Sequence, residues 1–396
     1  MVYYTRKLEK SIHDSIRQSP VTLITGPRQA GKSTLLQQAF STFSYTSLDD
    51  PIIRSLASQD PELFLSTNPP PLVIDEIQYA PVLLSYIKLR VDKNRSTYGQ
   101  YILTGSQSFQ LMQNVSESLA GRVIIFALYP FSWAELKGTP AYEKLIRIDE
   151  SGLAERIISG FYPEFFVNSN LTPEYWYGSY LTTYLERDVR NVKNIMDLSR
   201  FQTFVGLLAP RAGNILNLAE IAKECGISQP TVKGWLSVLE STYVIYLLKP
   251  FHTNISKRYV KSPKLYFVDT GLLCYLLGID STPRFLKAAE RGSIFENMVI
   301  IDLLKQASYN PGRNEFFFYR SGGGVEIDLL LKDRDGLKAF EIKFSKSVNR
   351  KMASNLVHFK NQQDVSSATV VSLHDEALTL AANVQVKHWS QVLLQE

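Results

Sequence analysis

The first third of the chain alternates short apolar runs with stretches of helical periodicity. The apolar runs are residues 21–25, 43–48, 72–74, 101–104 and 123–128. Runs that are apolar on both faces are typical of parallel strands that are covered on both sides. The pattern therefore predicts an α/β domain over residues 1–134, in which helices cover both faces of a parallel sheet.

The same patterns divide the rest of the chain into three segments. Residues 135–208 have helical periodicity and many aromatic side chains. Residues 209–262 contain two short helical stretches followed by a strand-like run. Residues 263–396 begin with a strand-like run, 264–268, continue with helices and end with three strands, which predicts a second α/β domain. A length of 396 residues also favours several domains over a single core.

The segment 209–262 has the pattern of a winged helix-turn-helix. Gly226 is placed to end the first helix, because the left-handed turn there favours glycine. Ser228 is a suitable N-cap for the second helix, and Pro230 is tolerated in the first turn of that helix. Residues 243–249 are then expected to form a strand of the wing.

A DNA-binding helix-turn-helix would present the second helix to the major groove. In that case Gln229, Thr231 and Lys233 would contact base edges or phosphates. The basic stretch 257–261 nearby favours a nucleic-acid partner. The alternative is a structural or protein-contact role for the whole unit.

Charged residues interrupt two strand-like runs near the end of the chain, residues 325–331 and 337–344. The runs predict a hairpin, in which Asp328 falls opposite or diagonal to Glu341 and Lys343. Two close carboxylates repel each other unless a cation neutralises them. Carboxylates suit Mg²⁺ or Mn²⁺, and the lysine would steady the attacking water or the scissile phosphate. The alternative is a salt-bridge cluster without catalysis.

Composition adds little to these patterns. The formal net charge is +5 and the isoelectric point about 8.9, which permits an anionic partner without requiring one. Cys225 and Cys274 are too few for a disulfide framework or a metal cage. The N-terminal residues lack a signal-peptide pattern, and no apolar run reaches the length of a membrane span. We therefore expect a cytoplasmic protein with no membrane partner.

The most specific chemical motif follows the first apolar run and matches G-x-x-x-x-G-K-[ST] in full. The residues expected to bind nucleotide are Gly26, Pro27, Arg28, Gln29, Ala30, Gly31, Lys32, Ser33 and Thr34. The glycines let backbone N–H groups face the phosphates, Lys32 would lie between the β- and γ-phosphates, and Ser33 would bind Mg²⁺. The motif predicts ATP and Mg²⁺ as cofactors. A chance glycine-rich turn is the alternative, but the motif lies between a strand and a helix, as a phosphate loop does.

A second nucleotide motif ends the apolar run 72–74. Asp75 would hold Mg²⁺ through water, and Glu76 would polarise the attacking water, as in a Walker B strand. The alternative is an ordinary exposed strand end.

This order of parts resembles the AAA+ group of P-loop ATPases. The resemblance implies a polar sensor at the end of the next strand, which falls on Thr104 or Gln107, and we favour Gln107. It also implies an arginine supplied by a neighbouring subunit. Arg122 is the first candidate, followed by Arg187 and Arg190, although a surface ion pair is an equal interpretation of each. An arginine acting in trans would require a homo-oligomer, and a hexamer is one such form.

The spacing D-x₁₂-E-x-K from Asp328 to Lys343 resembles the core of PD-(D/E)XK nucleases, the restriction-endonuclease-like fold. The resemblance implies a Mg²⁺-dependent endonuclease. That core also tends to carry a glutamate on the helix before the hairpin, and Glu296 has the right order in the chain. The chain departs from the family pattern at Ile327, where a proline is usual.

Taken together, the parts resemble a family of bacterial and archaeal AAA-type ATPases that end in a nuclease-like domain. The resemblance implies a DNA-associated protein that binds and hydrolyses ATP and couples hydrolysis to Mg²⁺-dependent cleavage or processing of DNA. The DNA would be recognised without sequence preference or by its branched structure. The alternatives are a nucleotide switch and a DNA-remodelling motor, each with an inactive nuclease-like domain.

Overall fold

The computed structural model describes residues 3–105, 114–115, 117–137, 139, 149–184, 197–251, 262–309, 312 and 314–394. The helices are α1 Leu8–Ser15, α2 Lys32–Ala39, α3 Pro51–Gln59, α4 Pro61–Thr67, α5 Leu83–Lys93, α6 Trp133–Leu136, α7 Glu150–Ser159, α8 Glu164–Val167, α9 Pro173–Tyr184, α10 Leu198–Leu208, α11 Leu218–Cys225, α12 Gln229–Ser241, α13 Thr270–Leu276, α14 Thr282–Lys287, α15 Arg291–Ser308, α16 Ser354–Lys360 and α17 Trp389–Leu393. The strands are β1 Val21–Thr25, β2 Ser44–Ser47, β3 Leu72–Asp75, β4 Tyr101–Thr104, β5 Val123–Ala127, β6 Ile245–Pro250, β7 Lys264–Phe267, β8 Glu315–Arg320, β9 Glu326–Asp333, β10 Gly336–Ile342, β11 Ser367–Ser372, β12 Leu378–Thr379 and β13 Gln385–His388.

The five N-terminal strands form one parallel sheet in the order β2-β3-β4-β1-β5, as the apolar pattern predicts. Both faces are covered, since Leu23 and Leu103 belong to one apolar core and Ile24 and Ile102 to another. Parallel strands end at the same edge of a sheet, and β4 lies between β3 and β1. The residues that follow these three strands are therefore brought side by side.

The second sheet has eight strands in the order β12-β13-β11-β10-β9-β8-β6-β7. It is mixed, because β10, β11 and β13 pair in parallel whereas β8, β9 and β10 pair antiparallel. The predicted hairpin is present, with Asp333 opposite Gly336 next to the turn. The sheet supports the hairpin on both sides, which fixes the backbone beneath the carboxylate cluster.

Two features of this sheet differ from the sequence-based expectation. The pattern predicts three strands after the helices of the last segment, but the sheet continues with β11, β12 and β13. Strands β12 and β13 are short and carry polar residues, so they lack the apolar run from which a strand is predicted. In addition, β6, which overlaps the strand expected in the wing, pairs with β7 and β8 inside the C-terminal sheet.

The two helices of the helix-turn-helix segment, α11 and α12, lie at the predicted residues. Gly226 has the left-handed backbone (φ 62°) that the turn requires. The hydroxyl of Ser228 accepts the backbone N–H of Thr231 at 3.2 Å and caps α12. Val232 and Leu239 are fully buried, so α12 is anchored by its apolar side.

Helix α15 belongs to the C-terminal half of the chain but packs against residues of the N-terminal half. Its residues Ile294, Phe295 and Val299 are fully buried in the large core that also contains Trp133 of α6. Among the helices of the described residues, not one combines the length and the apolar character that crossing a membrane requires.

Candidate nucleotide site and carboxylate cluster

The phosphate loop joins β1 to α2 and depends on two glycines. Gly26 and Gly31 have φ values of 144° and 89°, which other residues rarely adopt. A side chain at Gly26 would also place its Cβ 2.1 Å from the carbonyl oxygen of Leu128. The loop can therefore hold this shape only with glycine at these positions, as the motif predicts.

Lys32 lies over the loop that precedes it. Its ammonium group donates hydrogen bonds to the carbonyl oxygens of Gly26 (3.1 Å) and Pro27 (2.9 Å). The side chain is only 6% exposed. The positive charge is thus already held beside the loop whose backbone would cradle a polyphosphate.

Asp75 receives three hydroxyl hydrogen bonds at the end of β3. Ser33 donates at 2.8 Å and Tyr45 at 2.6 Å to one carboxylate oxygen, and Thr104 donates to the other. Burial, and then the hydrogen bond to the carboxylate, raises the pKa of Tyr45, so this phenol stays a donor. Ser33 and Asp75 were predicted to share a site, Thr104 was the alternative to the favoured Gln107, and Tyr45 on β2 was not predicted.

Glu76 has a left-handed backbone conformation at φ 60°, ψ 47°. A non-glycine residue in this region costs about 1–3 kcal/mol and is enriched at functional sites. Its N–H donates to the hydroxyl of Thr104 (3.2 Å), and the amide of Gln78 donates to its carboxylate. Glu76 lines a cavity of about 360 Å³ together with Lys32 and Ser33. The side chain expected to polarise water therefore faces the same space as the phosphate loop.

Arg6, which was not predicted from the sequence, is 3% exposed and braces the phosphate loop. Its guanidinium donates to the carboxylate of Glu135 at 2.8 Å, to the carbonyl of Ala30 at 2.8 Å and to that of Tyr129 at 2.6 Å. Burial alone would raise the pKa of Glu135, but the charge and hydrogen bonds of Arg6 lower it below its usual value. A buried ion pair therefore holds the loop carbonyl at Ala30.

The same carboxylate reaches the C-terminal half of the chain. Tyr309, just after α15, donates its phenol hydrogen bond to Glu135 at 2.7 Å. Asp302 on α15 accepts the backbone N–H of Trp133 at 2.8 Å. We call Arg6, Glu135 and Tyr309 the buried network. It links the phosphate loop to α15 through direct hydrogen bonds.

At the other candidate site, the structure brings Asp328, Glu341 and Lys343 together. The ammonium of Lys343 lies 2.8 Å from Glu341 Oε1 and 3.4 Å from Asp328 Oδ2. The backbone N–H of Ile342 also donates to Asp328 Oδ2, at 2.8 Å. The second oxygen of Glu341, Oε2, is buried without a hydrogen-bond partner among the described residues. This oxygen thus lacks the donor or cation that a buried carboxylate oxygen normally has.

Glu296 on α15 joins this cluster from the helix side, in the order that the sequence predicts. It accepts a hydrogen bond from Tyr266 at 2.6 Å and lies 3.5 Å from the ammonium of Lys264. Lys264 is 3% exposed and also pairs with Glu326 at 2.8 Å. Lys264 and Tyr266 come from β7 and were not among the site residues predicted from the sequence.

Burial, followed by the charge of Asp328, raises the pKa of both Glu296 and Glu341 to about 7. The nearby lysines oppose this effect without cancelling it. Within the described residues, no group of three or more His, Cys, Asp or Glu side chains is arranged to hold a metal ion. The ammonium of Lys343 occupies the place between the carboxylates of Asp328 and Glu341.

Three known protein families match successive parts of the chain. Residues 18–137 match the family described as AAA domain. Residues 150–283 and 291–392 match two domains of unknown function, DUF8612 and DUF4143. An uncharacterized protein of Mycobacterium tuberculosis is 30% identical over 360 residues, which cover 90% of this chain and 78% of that protein. The chain therefore belongs to the same family as this mycobacterial protein, a family of P-loop ATPases.

Two further matches are more distant. An uncharacterized protein of Haemophilus influenzae is 23% identical over 373 residues, 86% of each chain. The solved Walker-type ATPase PABY2304 of Pyrococcus abyssi is 16% identical, with a TM-score of 0.48, and the match covers 69% of this chain and 96% of that one.

The remaining predicted residues of this P-loop ATPase are distributed as follows. Arg122 makes an ion pair with Asp92, at 2.7 Å and 3.0 Å, just before β5. This is the edge of the sheet opposite the phosphate loop of the same chain, so any role at a neighbour's nucleotide stays a prediction. Gln107, Arg187 and Arg190 lie outside the described residues.

The candidate DNA-reading residues of the ATPase lie at the start of α12. Gln229 and Lys233 are exposed, and Thr231 is half-buried with its hydroxyl 2.8 Å from that of Ser228. The basic stretch 257–261 lies outside the described residues. The exposed start of α12 is compatible with either of the two roles that the sequence leaves open.

Proposed function

We propose that this P-loop ATPase hydrolyses ATP and couples its nucleotide state to a DNA-processing site in the C-terminal half. The observation that carries the proposal is the convergence of Lys32, Ser33 and Glu76 on one cavity at the ends of β1 and β3, where Ser33 also donates a hydrogen bond to Asp75. The buried network adds a physical connection between this cavity and α15, which also carries Glu296 of the carboxylate cluster.

The donor set at the nucleotide cavity fits Mg²⁺. Ser33 and Asp75 offer hard oxygen ligands that are already 2.8 Å apart, and Mg²⁺ bound with ATP would offset the negative charge of the phosphates. The chain itself would supply the rest. Lys32 would exchange its two carbonyl partners for phosphate oxygens, and Glu76 would orient a water for in-line attack. Thr104, hydrogen-bonded to both Asp75 and the N–H of Glu76, would hold the acidic pair in place.

Coupling would begin at the loop itself. Arg6 holds the carbonyl of Ala30, so a change of loop conformation on binding phosphate would disturb the Arg6–Glu135 pair. Because Tyr309 shares the same carboxylate, the disturbance would reach the end of α15. Packed, hydrogen-bonded elements of this kind can transmit a change between sites when they have two arrangements.

The second half of the proposal is Mg²⁺-dependent cleavage of DNA at the carboxylate cluster. The unpartnered, buried Oε2 of Glu341 supports it, because a buried carboxylate oxygen normally has a donor or a cation. Asp328 and Glu341 would be the ligands, and the ammonium of Lys343 would have to leave their midpoint. It would then be free to stabilise charge on the scissile phosphate.

A specific observation favours the alternative of a nucleotide switch with an inactive cluster. Lys343 and Lys264 already pair with the carboxylates of Asp328, Glu341, Glu296 and Glu326. An ion-pair cluster satisfied in this way has no need of a metal. In the switch, DNA association and homo-oligomer formation, with a hexamer as one form, would remain and cleavage would be absent.

The two candidates predict different results for Asp328→Asn. The protein would be incubated with labelled linear, single-stranded and branched DNA, with Mg²⁺ or Mn²⁺, and with or without ATP. We expect wild-type protein to cleave at least one substrate and Asp328→Asn to reduce the rate at least about 100-fold, since a ligand charge is lost while the acceptor for Ile342 remains.

Asp333→Asn is the matched control, because Asp333 lies on the same strand but at its other end, paired with Lys338. Cleavage by the control at the wild-type rate would attribute the loss to the cluster. Binding of DNA without cleavage in any condition would favour the switch.

A further inference from the structure

A second cavity, of about 600 Å³, lies between the start of helix α1 and one face of the C-terminal sheet. Lysines reach it from both sides, and two hydroxyl side chains come from β11. We call this cavity the basic cleft, and the residues that define it are Lys7, Lys10, Lys338, Lys387, Ser367 and Thr369. The positions on the sheet share one face, because Lys338 lies opposite Ser367 in the strand register.

The charge of the basic cleft is of one sign. The described residues that line it include four lysines and neither aspartate nor glutamate. Lys338 pairs with Asp333 at 2.7 Å, outside the cavity. Lys7, Lys10 and Lys387 make no ion pair within the part of the chain that the structure describes. A cavity lined by like charges has a raised potential, and an anion relieves it.

The apolar walls of the basic cleft indicate what kind of group would accompany the anion in a ligand. Leu303, Leu331, Phe340 and Val392 give it an apolar surface. A cavity of this size, with apolar walls and a few polar groups, suits a small molecule more than a bare ion, since such sites span about 300–1,000 Å³. Lysine ammonium groups and hydroxyls are common partners of phosphate oxygens.

We propose that the basic cleft binds a small phosphate monoester with an apolar or aromatic part, of the class of nucleoside monophosphates. The phosphate would lie between Lys7 and Lys10, at the start of α1, and the lysines of the sheet, and the flat part would pack on the side of Phe340. This site is separate from the phosphate loop, which requires a β-phosphate. It goes beyond the proposed function, because nothing in ATP hydrolysis or DNA cleavage requires it.

The basic cleft lies beside the buried network, so a ligand bound there would influence the nucleotide site through that network. Tyr309 lines the cleft and also donates to Glu135. The backbone N–H of Lys7 donates to the same carboxylate at 3.2 Å, next to Arg6. A ligand that draws α1 toward the sheet would therefore act on the buried network from its C-terminal side.

The test uses the full chain with MgADP in excess, so that the phosphate loop is filled, and AMP as the probe in calorimetric titration. We expect one AMP site for each chain. The double variant Lys10→Ala/Lys387→Ala should raise the Kd for AMP about tenfold or more, because two charge-assisted contacts to phosphate are lost. Lys287→Ala, at the exposed end of α14, is the matched control and should leave the Kd unchanged.

Three comparisons make the result decisive. Adenosine should bind at least about tenfold more weakly than AMP, since it lacks the phosphate. Inorganic phosphate should compete with AMP, and short duplex DNA should not. The proposal would be overturned if AMP does not bind, if Lys287→Ala loses as much AMP affinity as the double variant, or if adenosine binds as tightly as AMP. It would also be overturned if DNA, and not AMP, binds in a way that depends on Lys10 and Lys387. The titration involves no turnover, so its result does not depend on whether ATP is hydrolysed.

Discussion

Replacing Lys32 with alanine is expected to reduce ATP hydrolysis about 100-fold or more. The ammonium of Lys32 is the positive charge that the structure holds beside the phosphate loop, and removing one such group from the site of developing charge typically costs a factor of about 10²–10³. The fold should survive. The hydrogen bonds to the carbonyls of Gly26 and Pro27 that the variant loses lie within the loop and not in the strands of the sheet.

Release of phosphate from MgATP measures the effect, and circular dichroism checks the fold. Glu76→Gln is the informative companion, because it keeps the phosphate loop and removes only the group that orients water. It should retain ATP binding while turnover falls, whereas Lys32→Ala should weaken both. Normal turnover by a folded Lys32→Ala protein would contradict the assignment of the phosphate loop.

Replacing Arg6 with alanine is expected to lower the free energy of unfolding by about 3–5 kcal/mol, because it leaves the buried charge of Glu135 without its partner. The carbonyl of Ala30 also loses its donor. Urea unfolding followed by tryptophan fluorescence measures the loss, since Trp133 is buried beside Glu135 on α6. The affinity for ATP should fall in the same variant, because the phosphate loop is no longer braced.

Two further variants separate the causes. Arg6→Met combined with Glu135→Leu should recover part of the stability, because the unpaired buried charge is removed while Tyr309 and the backbone N–H of Lys7 lose their acceptor. It should not recover ATP affinity, since Ala30 still lacks its donor. Arg284→Ala breaks an exposed pair with Asp280 and should cost less than about 1 kcal/mol. A similar small loss in Arg6→Ala would refute the role of the buried network.

The same pair predicts a pH dependence of stability. The pKa of Glu135 is lower in the folded chain than its ordinary value of 4.5. The folded state then binds fewer protons than the unfolded state as the pH falls. The stabilisation is therefore complete above pH 4.5 and is lost as the pH falls through the lower, folded-state pKa. In Arg6→Met/Glu135→Leu this part of the acid sensitivity should disappear.

The arrangement of the candidate nucleotide site was largely predictable because its parts are local or follow from sheet geometry. The glycines and Lys32 lie within one short motif, and the parallel sheet brings Asp75 to Ser33 once β1 and β3 are recognised. The hairpin likewise brings Asp328 to Glu341 by alternation alone. In each case a periodic pattern fixes which side chains meet.

The residues that were missed come from distant parts of the chain. Arg6 and Glu135 are 129 positions apart, and Tyr309 lies 174 positions beyond Glu135. The chain offers one signal, the capping box formed by Ser132 and Glu135, which marks a helix start but not an ion pair. Lys264 was missed because a buried lysine inside an apolar strand has no pattern of its own. Such contacts depend on how the two sheets pack.

The central claim is that ATP is hydrolysed at the phosphate loop and that the C-terminal half responds. The most direct measurement is the rate of MgATP hydrolysis by the purified wild-type chain, with and without branched DNA, over the background given by Lys32→Ala. We expect turnover above that background and a change of rate when DNA is added. A wild-type rate equal to the Lys32→Ala background, with and without DNA, would contradict the account.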